Sequence, residues 1–325
     1  MSPAAVDEVT PAMHLWAVSA VGTGTVDARL DRLLEALREP AFGLVYDPGR
    51  TGTAREVFET RRYNCLSLTV LFVALARDLG MDADYLEVDR ETSYTKDGSL
   101  VLVTSHVTAG WGPPARRHVA EIGVDPDTDH LVVRKVDDAR IEASWWTNRC
   151  AELLRDGDVE GALDAARMAL ELDDRLGPAW VNLGVARRRH GDQDGAERAY
   201  RRAIELEPDQ LSAWRNLGML LRLEGRTDAA AELLSLADRP GRRDPFTLLV
   251  LGDWSLEAGD VEGADRFFRR AWTLAPNHPE ILAARAEAAL GAGELERAWR
   301  WSRRAQRADA DNPRVAAVLR QLEGS

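Results

Sequence analysis

Residues 63–80 read YNCLSLTVLFVALARDLG. Between Cys65 and Ala76 the polar residues are Ser67 and Thr69, so a helix here is wrapped by protein on nearly every side. It falls well short of the roughly 20 apolar residues that span a bilayer. Asn64 suits an N-cap and Gly80 a C-terminal stop. Cys65 then sits in the first turn, where unpaired N–H groups and the positive end of the macrodipole favour a thiolate. A cysteine there suits a nucleophile; it equally suits a small apolar residue opening a core helix.

Upstream, residues 1–25 are small and weakly patterned, and mobility is expected there. Thr25 precedes VDARLDRLLEALRE, where Val26, Leu30, Leu33, Leu34 and Leu37 recur at helical spacing and Pro40 ends the run. Residues 47–53, DPGRTGT, are turn chemistry, and 54–62 form a short helix. Downstream, 84–88 alternate like a strand, 90–98 read as a polar loop and 99–107 as an extended strand. Residues 108–115, containing GWGPP, read as a turn, followed by strands over 117–124 and 131–135. Helices followed by antiparallel strands predict an α+β domain over residues 1–140.

A thiol needs a base, and the base needs an acid to hold its tautomer. His106 follows Cys65 by 41 residues at the end of a strand, and Glu121 lies 15 further on the next. His118 is a rival base and Asp125 a rival acid.

In this order the residues resemble the transglutaminase-like superfamily, papain-related in architecture. FETRRYNCLSLTVLFVALARDLGMDADYLEV is similar to the segment holding its nucleophile, LVTSHV to its histidine strand and HVAEI to its acid strand. The resemblance spans about residues 40–140 and implies Cys65 as nucleophile, His106 as base and Glu121 as orienting acid. It implies a cysteine-dependent acyl transferase or hydrolase acting on amides. Two positions depart from the pattern. Tyr63 stands where glycine is usual, and Glu121 where aspartate is usual, so Asp125 is the alternative acid.

The second half repeats. Gly157, Gly191, Gly225, Gly259 and Gly293 are spaced by 34 residues, as are Ala162, Ala196, Ala230, Ala264 and Ala298. Trp180, Leu183, Gly184, Ala196, Tyr200, Ala203 and Pro208 resemble the tetratricopeptide repeat, and so do Trp214, Leu217, Gly218, Leu251, Gly252, Phe268 and Pro276. The resemblance implies an all-α solenoid of five repeats over 141–325, closed by a capping helix at 314–322. Trp146, Trp180 and Trp214 share one repeat position and are expected in the core. Asn148, Asn182 and Asn216 share another, where related repeats hold an extended peptide; Arg188, Arg215 and Arg222 are expected on the same concave side. An acidic peptide, or one ending in a carboxylate, would suit that groove. The asparagines also fit a purely structural role.

The net charge of −12 argues against nucleic acid, and the two cysteines make no disulfide framework. Zinc-ligand spacing, a Walker A loop and a GxGxxG are missing, so neither metal nor cofactor is expected. MSPAAVDEVT lacks the basic start of a signal peptide, and a cytoplasmic protein without membrane association is expected. The alternative to the enzyme is a scaffold that binds protein partners through its repeats, with the first domain inactive.

Overall fold

The computed structural model describes every residue except 1–5, 89–92, 98–99, 105–106, 114–115, 121, 123–132, 209, 238–244, 258 and 325. The chain divides into two compact units, Met1–Glu207 and Pro208–Ser325.

The first unit opens with Pro11–Val21 (α1) and Val26–Arg38 (α2). Helix α1 corrects the expectation of a mobile start. Thr10 caps it, and Met13, Ala17 and Val21 at four-residue spacing are buried. Its small residues give little amphipathic contrast, which is why the pattern hid it. Helix α2 buries Leu30, Leu33, Leu34 and Leu37 of the expected stripe, whereas Val26, its first residue, is exposed. Val45–Tyr46 (β1), Ala54–Thr60 (α3) and Arg62–Tyr63 (β2) follow; β1 and β2 pair in parallel.

Cys65–Asp78 (α4) is the central helix. Asn64 caps it through Ser67 N–H, and Ser67 Oγ accepts from Asn64 N–H, so both termini of the cap are satisfied. Every residue from Leu66 to Ala76 is buried. Each large apolar side chain placed there contributes about 1.5–3 kcal/mol of burial. Gly80 takes a left-handed φ of 70°, as expected of the stop.

Asp84–Val88 (β3), Ser93–Asp97 (β4), Leu100–Thr104 (β5), Val107–Trp111 (β6), His118–Val119 (β7) and Val133–Val136 (β8) complete the α+β part. The four-stranded sheet runs β7-β6-β3-β8, antiparallel throughout. Three expectations change. The polar loop contains β4, which pairs with β5 as a hairpin. The single strand over 99–107 is two, β5 and β6. Part of the expected 108–115 turn is β6, whose five residues are all buried. A glycine in that strand has a reason: a Cβ at Gly110 would lie 2.5 Å from Leu86 Cδ1 and 2.7 Å from the His118 carbonyl.

Asp138–Asp156 (α5), Val159–Leu172 (α6), Gly177–His190 (α7) and Gln193–Leu206 (α8) form two helix pairs within the first unit. Strand β5 runs against α5 and α7, the first helices of those pairs. The second unit holds Leu211–Leu223 (α9), Thr227–Ala237 (α10), Pro245–Glu257 (α11), Val261–Leu274 (α12), Pro279–Gly291 (α13), Leu295–Ala308 (α14) and Pro313–Glu323 (α15).

The repeat is built from local chemistry. Gly157, Gly191, Gly225, Gly259 and Gly293 all take left-handed φ, between 74° and 95°. Asp158, Asp192 and Asp260 then accept from the N–H of Gly161, Gly195 and Gly263, capping the second helix of their pairs. Within a pair, Gly184 faces the Tyr200 ring and Gly252 the Phe268 ring; a Cβ would approach those rings to 2.4 and 2.2 Å.

Candidate functional site

Cys65 begins α4 and is partly exposed. Tyr46 from β1 brings its hydroxyl to 3.9 Å from the thiol, and Tyr46 stacks edge to face on Tyr63 at 5.6 Å. Burial pushes the Cys65 thiol above its ordinary value, while the Tyr46 hydrogen bond and the residue's own N–H pull it back. Among the described surroundings burial is the largest influence on the thiol. Tyr46 itself is pushed up to about 12 by burial and by Cys65, so it stays a donor.

Helix α4 is tied to β6 one turn beyond the thiol. Thr69 Oγ1, one turn beyond Cys65, donates to Cys65 O at 2.7 Å and reaches Val107 O at 3.2 Å. Val107 starts β6 directly after His106. His106, Glu121 and Asp125, the expected base and its two candidate acids, lie outside the described residues. The rival base His118 is exposed and stacks flat on Trp111 at 5.6 Å. A cavity of about 330 Å³ opens beside Tyr63, with Arg38, Leu44, Val45, Leu68 and Ile122 in its wall.

The repeat asparagines are buried: Asn148 to 4%, Asn182 and Asn216 to 0% exposure. Asn182 Nδ2 donates to Thr147 O at 3.1 Å, tying α7 to α5. Such geometry spends the amide inside the array, the structural role open to it. Arg188 is half-buried, and Arg215 is buried with its guanidinium 5.8 Å from the Phe246 ring. Arg222 pairs with Glu257 and lies 5.2 Å from the Trp254 ring. Trp146, Trp180 and Trp214 are half-buried rather than deep in the core. Trp180 Nε1 donates to Asp174 O at 2.7 Å and Trp214 Nε1 to Pro208 O at 2.9 Å. These indoles pin the loop that enters their helix.

Sequence reading missed an electrostatic junction. Arg140 at the start of α5 is 14% exposed and bonds Glu87 of β3 at 3.1 Å and Asp173 at 2.8 Å; Glu207 lies at 3.8 Å. Glu207 also accepts from Gly177 N–H at 3.1 Å. Three carboxylates from distant segments converge on one guanidinium, a pattern that sequence spacing does not encode.

Residues 181–245 and 255–322 match two family models described as tetratricopeptide repeat. No curated protein matches the chain. Among solved structures it is similar to pilF of Pseudomonas aeruginosa, at 20% identity over 58% of this chain and 86% of that one, TM-score 0.49. A thermophilic tetratricopeptide repeat protein of Thermus thermophilus matches at 19% identity over 56% of this chain and 100% of that one, TM-score 0.48. YrrB, a tetratricopeptide repeat protein with an unusual peptide-binding site, matches at 18% identity over 55% of this chain and 92% of that one, TM-score 0.38. None of these matches supports the transglutaminase-like resemblance of the first half. Among the described residues no helix is long and apolar enough to cross a membrane.

Proposed function

We propose that this chain is a tetratricopeptide scaffold that holds a protein partner, with the part before residue 140 acting as a buttress for the first repeats. The observation that carries this is the repeated device in the helix pairs: a left-handed glycine every 34 residues, with an aspartate cap in three pairs and a glycine–aromatic contact in two. Stacked pairs of this kind build extended surfaces for proteins and peptides. The first helices of the first two pairs already carry β5 of the same chain, so partner contacts are assigned to the later repeats. In this reading Asn148, Asn182 and Asn216 hold helices together, and Arg188, Arg215 and Arg222 act from the flanks of any bound segment.

The catalytic reading keeps one point in its favour: Thr69 ties the start of β6 to the turn after Cys65. It requires His106 and Glu121 or Asp125 to reach the thiol, and a cytoplasmic amide substrate. Against it stands a Cys65 thiol raised by burial, with Tyr46 as its described hydrogen-bond partner.

Cross-linking of the full chain to co-purified proteins tests the scaffold. Partner cross-links should fall on α9–α14 and persist in a Cys65→Ser variant. Partners that disappear with Cys65→Ser, or cross-link solely to the first 140 residues, would defeat the scaffold proposal.

A further inference from the structure

Helix α13 places Arg285 where the three preceding repeats, at 34-residue steps, carry Leu251, Leu217 and Leu183. Those leucines are buried, and Arg285 is buried too, at 5% exposure. Its guanidinium lies 4.1 Å over the Trp301 ring and 5.1 Å from the Trp272 ring. The two indoles meet edge to face at 5.5 Å. Arg304 of α14 approaches the same rings at 5.8 and 5.6 Å.

Two cations thus share two rings, and no carboxylate is bonded to either among the described residues. Arg285 Nε is buried without a partner, and Arg304 reaches the neutral Asn277 Oδ1 at 3.2 Å. Asp265 acts on Arg285 from a distance, but it is already shared by Arg269 and Arg297, the latter at 2.7 Å. Burial pushes the Arg285 guanidinium down to about 10; Asp265 opposes this, and Arg297, Arg269 and Arg304 push it further.

The first repeat provides a comparison. Arg149 occupies the equivalent position and is paired with Glu152 of its own helix. Three residues after Arg285, at the place of Glu152, stands Ala288. A cation–π contact returns less than removing a charge from water costs. An anion at the guanidinium would supply the difference. The wider surface favours one: α14 carries Arg297, Arg300, Arg303, Arg304 and Arg307 against Glu296.

We propose that Arg285 and Arg304, framed by Trp272 and Trp301, form a docking site for a carboxylate of an acidic peptide segment in a protein partner. This rests on the scaffold reading and adds the surface and the partner's chemistry. Guanidinium forks match carboxylates in a bidentate geometry, and an indole floor excludes water from the pair. A short acidic segment suits two guanidiniums better than a long polyanion does, because the chain as a whole carries −12.

The test uses the full chain and hexaglutamate, followed by tryptophan fluorescence and calorimetry, with hexaglutamine as control. Hexaglutamate should bind and perturb tryptophan emission; hexaglutamine should not. Arg285→Leu should weaken binding by at least about tenfold, the loss of roughly one charged pair. Its melting temperature should stay level or rise, since leucine is what the neighbouring repeats use here. Arg304→Gln should weaken binding with the fold intact. Absent hexaglutamate binding, binding indifferent to both substitutions, or tighter binding of a single-stranded oligonucleotide than of hexaglutamate would overturn the site. Partner cross-links unchanged in Arg285→Leu, together with unchanged hexaglutamate binding, would sink this site alone and leave the scaffold standing.

Discussion

Trp145 donates its indole N–H to the carbonyl of Gly52 at 3.1 Å, joining α5 to the loop before α3. Ile141 and Trp145 belong to the same buried cluster as Leu33, Phe72 and Trp111. Thr51 N–H donates to Glu152, and Arg155 reaches Gly49 O at 2.7 Å. The helix that opens the repeats therefore completes the first core. Trp145→Ala should cost about 3–5 kcal/mol, and Trp145→Phe about 1 kcal/mol for the hydrogen bond, read by denaturant melts. A fragment of residues 141–325 should remain helical but exchange α5 amides faster than the full chain. Equal α5 protection in both would show that the boundary near 140 is a folding boundary as well.

Gly184 and Gly252 test the packing of the pairs. An alanine Cβ at Gly184 would meet the Tyr200 ring at 2.4 Å, and one at Gly252 the Phe268 ring at 2.2 Å. Both rings are fully buried and have nowhere to retreat. Gly→Ala in an ordinary helix stabilises by about 1 kcal/mol; here overpacking should reverse the sign and cost about 1–3 kcal/mol. Thermal melts of the two variants decide it, and a gain in melting temperature would count against the close approach.

Arg314 closes the array. From α15 it pairs with Asp253 of α11 at 2.5 Å and Glu287 of α13 at 2.5 Å, at 17% side-chain exposure. Arg314→Ala should leave two partly buried carboxylates unpaired and cost about 1.5–3 kcal/mol. Arg314→Lys keeps the charge but loses the planar fork that serves two carboxylates, and should recover only part of the loss. Full recovery in Arg314→Met, which keeps the stem without the charge, would mean that Arg314 acts through packing alone.

The repeats were legible because small residues and glycine turns recur at a fixed period, and each recurrence has a local cause in a cap or a close contact. The helix after Asn64 was legible for the same reason: cap, apolar run and stop lie side by side in sequence. What escaped depends on distant partners. Arg140 gathers Glu87, Asp173 and Glu207 only after the chain has folded. Asn182 donates its Nδ2 to a neighbouring helix, a matter of helix rotation that the residue type does not reveal. The contact of the Tyr46 hydroxyl with Cys65 was likewise hidden, because Tyr46 comes from a short strand with no alternating pattern. Helix α1 escaped through weak contrast between its faces.

The two cysteines separate the scaffold from the enzyme. Burial raises the Cys65 thiol, so iodoacetamide should label it slowly at mildly acidic pH and faster only as the solution passes the ordinary thiol value of about 8.5. Tyr46→Phe removes the hydroxyl that stabilises the thiolate and should slow labelling further at any fixed pH. Cys150, fully buried and pushed up to about 12, should stay unlabelled until the chain unfolds. That shift also fixes a sign. Between the ordinary thiol value and about 12 the unfolded chain has lost the Cys150 proton while the folded chain keeps it, so stability should fall as pH rises through this window. The fall should vanish in Cys150→Ala. Labelling rates by mass spectrometry across roughly pH 5–10 bracket the ordinary thiol value and give the first three results. Rapid Cys65 labelling near pH 6, slowed at least tenfold by His106→Ala, would instead restore the catalytic reading, since imidazolium would then be holding the thiolate.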